Sequence, residues 1–341
     1  MSTEKPIGIG VVSTGGWARG FWAEAQKAPE IRLVACWNRT RERAERFAEA
    51  YGGEVAPSLE ALLAHPEVDA IANFAANSFH YEPTMMAAAA GKHVFVDKPI
   101  ANDLGESAAM IRACREAGIT LMVGHSTRYG GEARAMKKLL DSGRLGQLAM
   151  VEANISHSGG ARLSEDRWRW HWEEAPGGPL MQLSIHAFDT LHYLFGPTKR
   201  ATALSVRDLL PSEIEDVFLA LLEFESGLLA YVGTNYLSPP AHFLRVYGRG
   251  GNAFAERGKL VFWKPKDDWS VEPEEIAMPE LNPHAAEMSE FARAIRTRTE
   301  PETGGKIGLL ALGVVWACLK SAQEGRSVDV KEALGEAAGL V

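Results

Sequence analysis

From Ile7 to about Val123 short apolar runs alternate with amphipathic stretches, and this constrains the fold more than any other feature of the chain. Ile7–Val12, Arg32–Trp37, Ala70–Phe74, His93–Val96 and Thr120–Val123 read as strands. Helical patterns over Trp17–Lys27, Arg41–Tyr51, Leu59–Ala64, Pro83–Ala90 and Gly105–Glu116 separate them. Strands joined through helices run in the same direction, so the pattern predicts an α/β fold with a parallel sheet and right-handed crossovers. The expected extent of this domain is residues 1–124.

After Gly124 the period changes. A helix over Glu132–Asp141 is followed by two-residue alternation in Leu148–Ser156, Ala201–Asp208, Val217–Phe224, Leu228–Asn235, Phe243–Tyr247 and Lys259–Lys264. Turns such as Glu225-Ser226-Gly227 and the stretch Gly248–Asn252 separate these runs, which reads as a large, mostly antiparallel sheet with one open face. Residues 125–341 are thus expected to form a second α/β domain, whose late helices, Ala285–Arg298 and Gly308–Ala322, are free to pack back on the first. An open sheet face calls for a cover, and the expectation is a second copy, giving a homodimer or homotetramer.

Composition excludes some roles. Thirty-six basic against 44 acidic residues leave a net charge of −8, and no Lys/Arg block offsets it, so nucleic acid is not an expected partner. The apolar run Ile307–Leu319 contains Gly308 and Gly313 and is shorter than the roughly 20 residues a spanning helix needs, so no membrane segment is expected. The polar start lacks the order of a signal peptide, and the expected location is cytoplasmic. Cys36, Cys114 and Cys318 have no paired spacing, which fits buried thiols better than disulfides or a metal site.

The first strand-to-helix turn places Ser13, Gly15 and Ala18 at the three glycine positions of a dinucleotide fingerprint, with Gly16 and Trp17 in the same turn. Spacing alone also admits a turn without a ligand. The second strand ends at Asn38-Arg39, where an acid would hold a ribose diol; Arg39, with Arg41 or Arg43, suits a 2′-phosphate instead. This favours NADP over NAD, the alternative being a solvated first helical turn. Ala75, Asn77 and His80 follow the next apolar strand and are expected to line the cofactor cleft, unless the loop is merely polar with a surface histidine. Asp97-Lys98-Pro99 then closes a strand, placing a lysine at the carboxyl end of a parallel sheet.

Together with Gly91-Lys92-His93-Val94, that segment resembles the hallmark stretch of the glucose-fructose oxidoreductase, inositol dehydrogenase and MocA-like (Gfo/Idh/MocA) family. Further similar stretches are Gly124–Tyr129, Leu140–Gly146 and Gly177–Asp189, and the resemblance runs from Ile7 to about Val330. It implies a Rossmann domain, an open-sheet domain, NAD or NADP, and hydride transfer on sugars, polyols or their ketones. By position, Lys98 matches the motif lysine and His186 the catalytic histidine. Asp97 replaces the usual Glu, Gln182 stands where many members have Asp, and Ser184 where Gly is usual. Gln182 has no proton to titrate and is expected to fix a substrate hydroxyl instead, which leaves His186 and Lys98 for acid-base work.

Other readings remain open on sequence. His186 also fits a core histidine on a helix with Ile185, Phe188, Leu191 and Leu194; Asp189, one step of three along the same face, is expected to orient His186 or contact the substrate. The stretch Arg162–Trp172 suggests a substrate loop, with Arg162, Trp168 and Trp170 as contacts, or else an edge strand with alternating indoles or a subunit contact. His125 and Arg128 complete the expected substrate set, and no metal is expected. Relatives that cleave glycosides through transient oxidation, or that only sense ligands, give the alternative functions.

Overall fold

The structure is a computed structural model and describes residues 5–265 and 272–341. In chain order its main elements are β1 (Ile7–Val12), α1 (Gly16–Ala25), β2 (Ile31–Trp37), α2 (Arg41–Tyr51), β3 (Glu54–Val55), α3 (Leu59–Ala64), β4 (Ala70–Asn73), α4 (Tyr81–Ala89), β5 (His93–Asp97), α5 (Leu104–Glu116) and β6 (Leu121–Gly124). There follow α6 (Gly131–Asp141), β7 (Leu148–Ser156), α7 (Ile185–Phe195), β8 (Thr198–Val206), β9 (Val217–Phe224), β10 (Leu229–Asn235), β11 (Ala241–Gly248), β12 (Gly251–Glu256), β13 (Lys259–Trp263) and β14 (Glu274–Ile276). The chain ends with α8 (Pro283–Thr297), α9 (Gly305–Glu324), β15 (Val328–Asp329) and α10 (Val330–Leu334). Contacts divide it into two compact units, Met1–Tyr129 with Asn282–Leu309 and Leu340–Val341, and Gly130–Leu281 with Leu310–Gly339.

The first unit is built on a six-stranded parallel sheet in the order β3-β2-β1-β4-β5-β6. The order reverses between β1 and β4, and a crevice outside the carboxyl ends of the strands at such a switch is where open α/β sheets bind ligands. Aromatic packing fills one face: Phe21 of α1 lies 4.8 Å from Phe74 and 5.4 Å from Phe95, and Phe291 of α8 stands edge-on to Phe95. Helix α8, late in sequence, thus belongs to this core. Helix starts follow capping chemistry, as at Asp103, whose carboxylate accepts from the Glu106 amide at 2.9 Å.

The second unit holds a nine-stranded sheet, β14-β13-β12-β11-β7-β10-β9-β8-β15, antiparallel except for the β7–β10 pair. Period-two patterning sets its faces: Phe218, Ala220, Leu222 and Phe224 of β9 are buried, whereas Leu219 and Leu221 are 46% and 61% exposed. The sequence reading missed β12, β14 and β15. Strand β12 buries only small residues, Ala253 and Ala255, and follows a two-residue turn at Arg249-Gly250, so it carries little β signal.

Helix α9 corrects a further expectation. It runs 20 residues, long and apolar enough by length and composition to cross a membrane, with 67% of its most apolar window buried inside the protein. Gly308 and Gly313 do not break it. A side chain at Gly308 would meet Val123 at 2.7 Å, and one at Gly313 would meet Leu334 at 2.9 Å, so the glycines permit close packing.

Candidate active site

In the first unit the turn between β1 and α1 is built for close approach. Ser13 takes φ +67°, a left-handed conformation ordinarily left to glycine, and its amide donates to Trp37 O at 2.8 Å. Strain of this kind, about 1–3 kcal/mol, persists where surrounding structure holds it. Gly15 precedes α1 without a side-chain cap, leaving first-turn amides for an anion. A methyl group on Gly15 or Gly16 would meet no protein atom within 4 Å, whereas Ala18 is fully buried. The turn therefore fits a dinucleotide pyrophosphate. Trp17 is 45% exposed beside it, edge-on to His284.

Asn38 stitches this turn to the end of β2: its amide nitrogen donates to Thr14 Oγ1 at 3.2 Å, while its oxygen accepts from the Thr40 amide at 2.9 Å. Beyond it opens a cleft of about 420 Å³ lined by Trp37, Asn38, Arg39, Arg41, Phe79 and Glu82, among others. Arg41 is committed to Glu45 at 2.9 Å. Arg39 is exposed and lies over the Phe79 ring. Arg43 is exposed but does not line the cleft, because it lies farther along α2.

The loop after β4 is organised by Asn73, the buried last residue of that strand. Its side chain accepts from the Ala75 amide at 3.1 Å and donates to Phe79 O at 3.2 Å. Asn77 is buried and donates to Asn102 Oδ1 at 3.0 Å. His80 is not a surface histidine: it is wholly buried, with Nδ1 at 2.8 Å from Pro99 O and Nε2 at 3.2 Å from Ala75 O. Burial pushes its pKa down, opposed by the Asp97 carboxylate and by those two carbonyls. Asp97 is half-buried at the end of β5, and Lys98 follows it, 9% exposed.

His125 and Arg128, expected at the substrate, are both buried. Arg128 is 3% exposed and donates to Glu302 O at 3.3 Å, so this guanidinium ties the segment after β6 to Asn282–Leu309 instead of standing open.

In the second unit Gly177 and Gly178 both take positive φ, and a side chain on Gly178 would strike Glu215 O, so only glycine suits this turn. It leads into a π-helical turn, Leu180–Ser184, that runs on into α7. Such turns recur at functional sites. Gln182 is buried in that turn; half-buried His186 follows four residues later, and wholly buried Asp189 three beyond that.

The tryptophan stretch is not an edge strand. Ser158–Arg162 and Trp168–Trp170 are 3₁₀ turns, in which alternate residues do not share a face. Arg162 is exposed, Trp168 packs on a cluster of Ala175, Ile214 and Tyr236, and the Trp170 carbonyl accepts from the Glu213 amide at 3.1 Å. His171 of the same stretch has its pKa raised, chiefly by the Glu165 carbonyl and then by Glu213. The residue that reaches Gln182 is Arg169, which the sequence reading did not single out. Its Nε donates to Gln182 Oε1 at 3.3 Å and its guanidinium lies 4.3 Å from the Trp168 ring centroid.

Residues 7–125 match the oxidoreductase family with the NAD-binding Rossmann fold, and residues 133–254 match the GFO/IDH/MocA C-terminal domain. A 1,5-anhydro-D-fructose reductase from Ensifer adhaerens is 27% identical over 333 residues, 95% of this chain and 99% of the relative. A solved structure from Desulfitobacterium hafniense, provisionally described as an NADPH-dependent oxidoreductase, is similar with a TM-score of 0.93 at 30% identity, covering 97% of this chain and all of that one. An aldose-aldose oxidoreductase from Caulobacter crescentus gives a TM-score of 0.86 at 28% identity, over 95% of this chain and 100% of that one. The switch-point crevice, the strained glycine-type turn and these matches agree: the chain belongs to the Gfo/Idh/MocA family of NAD-binding oxidoreductases.

Proposed function

We propose that the protein moves hydride between C4 of a nicotinamide and a secondary carbinol carbon of a sugar, polyol or sugar derivative, with NADP preferred over NAD. The observation that supports this most is Lys98, nearly buried directly after β5 in a sheet whose switch-point turn fits a pyrophosphate. A bound nicotinamide carries the hydride. Lys98 holds the reacting oxygen through its ammonium, and His186 takes the hydroxyl proton in oxidation and returns it in reduction. Gln182, oriented by Arg169, holds a substrate oxygen and exchanges no proton. Preference for NADP rests on Arg39, which is exposed, lines the cleft beyond Asn38 and stacks over the Phe79 ring. Names of relatives, such as the D-xylose 1-dehydrogenase (NADP(+)) 2 of Haloferax volcanii, support the same substrate class.

A second copy is proposed to cover the outer face of the large sheet. Leu204 pairs with Leu219 across β8 and β9, Leu221 with Tyr231 across β9 and β10, and Leu204, Leu221 and Leu229 are 72%, 61% and 58% exposed. A contiguous apolar patch of this kind marks an interaction surface. The test of the activity is titration with NADPH and NADH, followed by a hydride-transfer assay over sugars, inositols, uronates and their keto forms. Net turnover with NADPH preferred is expected. Tight cofactor binding without net redox on any substrate would contradict the proposal.

A further inference from the structure

We infer that His80 is a positioning residue for Lys98: its imidazole clamps the Pro99 carbonyl and thereby fixes the direction in which the lysine side chain leaves the end of β5. This rests on the proposed role of Lys98. A polar ring with no solvent exposure is costly unless its hydrogen bonds are made. Here both ring nitrogens face backbone carbonyls, Pro99 O at 2.8 Å and Ala75 O at 3.2 Å. A neutral imidazole has one N–H, so it donates to one of them only, and the shorter contact marks Nδ1 as the donor.

The clamp stands on a fixed base. The His80 carbonyl accepts from Thr84 Oγ1 at 2.8 Å and from Asn73 Nδ2 at 3.5 Å, and the His80 amide donates to Asn77 O at 3.2 Å. A second strut joins the same two loops three residues past Pro99, where Asn77 meets Asn102 at 3.0 Å. Between the struts Ile100 and Ala101 are wholly buried, so the backbone next to Lys98 has little room to shift. His80 itself is sealed from solvent, and both ring nitrogens face carbonyls, groups that exchange no protons; the Asp97 carboxylate acts on the ring through its charge, so His80 is not placed to touch a ligand. Its effect must pass through the lysine it restrains.

The test compares His80→Asn, whose amide nitrogen replaces Nδ1, with His80→Gln, whose donor falls nearer Nε2, and with His80→Leu, which has none. The Asn variant is expected to keep most turnover. The Gln and Leu variants are expected to lose about 10- to 100-fold in kcat, as for a reacting group misplaced by up to about 1 Å, with KM and cofactor affinity little changed. Equal turnover in the Asn and Gln variants overturns the inference, as does a parallel loss of kcat and cofactor affinity; this pair decides it if the Leu variant does not fold. A second readout needs no turnover: the NMR resonance of reductively methylated Lys98, identified by its absence in Lys98→Met. It should move in the Gln variant and stay in the Asn variant, and no movement in either overturns the clamp. If it behaves as expected while the wild-type protein turns over no substrate, the proposed activity fails and the clamp stands.

Discussion

The Arg39 guanidinium lies 5.3 Å from the centroid of the Phe79 ring, which joins the end of β2 to the loop after β4 across the wall of the 420 Å³ cleft. Stacking pre-orders the guanidinium, and its neighbour Arg41 is occupied by Glu45. Arg39→Ala should therefore weaken NADPH more than NADH. A charge-assisted hydrogen bond of about 1.5–3 kcal/mol corresponds to roughly 10- to 150-fold in the ratio of their dissociation constants. An equal loss for both cofactors would remove the 2′-phosphate assignment.

Replacing Lys98 tests the chemistry at the carboxyl end of β5. Lys98→Met should lower kcat by about 10²- to 10⁴-fold, the usual worth of a group that manages a proton in the transition state. Cofactor binding, measured by fluorescence titration, should survive. Near-normal turnover would refute the role proposed for the lysine.

Acid should weaken the first unit before its carboxylates titrate. Burial lowers the pKa values of His80, His93 and His284, so folding holds these rings neutral. His93 even uses Nδ1 as acceptor for the Thr120 amide at 2.9 Å, a bond lost on protonation. The unfolded chain takes up protons near pH 6.5 while the folded chain does not, so stability declines as pH falls below that value. Melting temperatures between pH 7.5 and pH 5 should fall accordingly, and less steeply in His93→Gln. A flat profile would contradict the assignment.

The thiols should be silent in the folded protein. Cys36, Cys114 and Cys318 are all buried, and burial pushes Cys36 up to about 11, Cys114 up to about 12 and Cys318 higher still. A thiol reagent at pH 8 should label none of them natively and all three in denaturant. Rapid native labelling would show that one of these sites opens readily.

A charge in the middle of the apolar sheet face should separate the proposed copies. Leu221→Asp, on a side chain 61% exposed, is expected to reduce the mass measured by light scattering without unfolding the chain. A wild-type protein that is already monomeric at micromolar concentration would refute the interface.

Much of the fold was legible because helices and strands leave different periods in the sequence. The Rossmann alternation, strand β7 at Leu148–Ser156 and strand β9 at Val217–Phe224 were read with their observed bounds or close to them. Strand β12 was hidden by its small buried residues, and the 3₁₀ turn of Trp168–Trp170 was hidden because its indoles happen to fall at alternate positions. Arg169 could have been noticed as the arginine between two tryptophans, but nothing in its spacing points to Gln182.

The sequence by itself determined the class of fold, the glycine-type turn at Ser13–Ala18 and the lysine at the end of β5, because each depends on residues adjacent in the chain. Only the tertiary structure decided which polar groups are buried and what they hold. His80 became an internal clamp, Arg128 a tie to Glu302, and α8 part of the first unit's core. These outcomes depend on carbonyls and rings brought together from distant positions, and burial then raises the cost of leaving any such group unmet. Spacing along one chain carries no record of that cost.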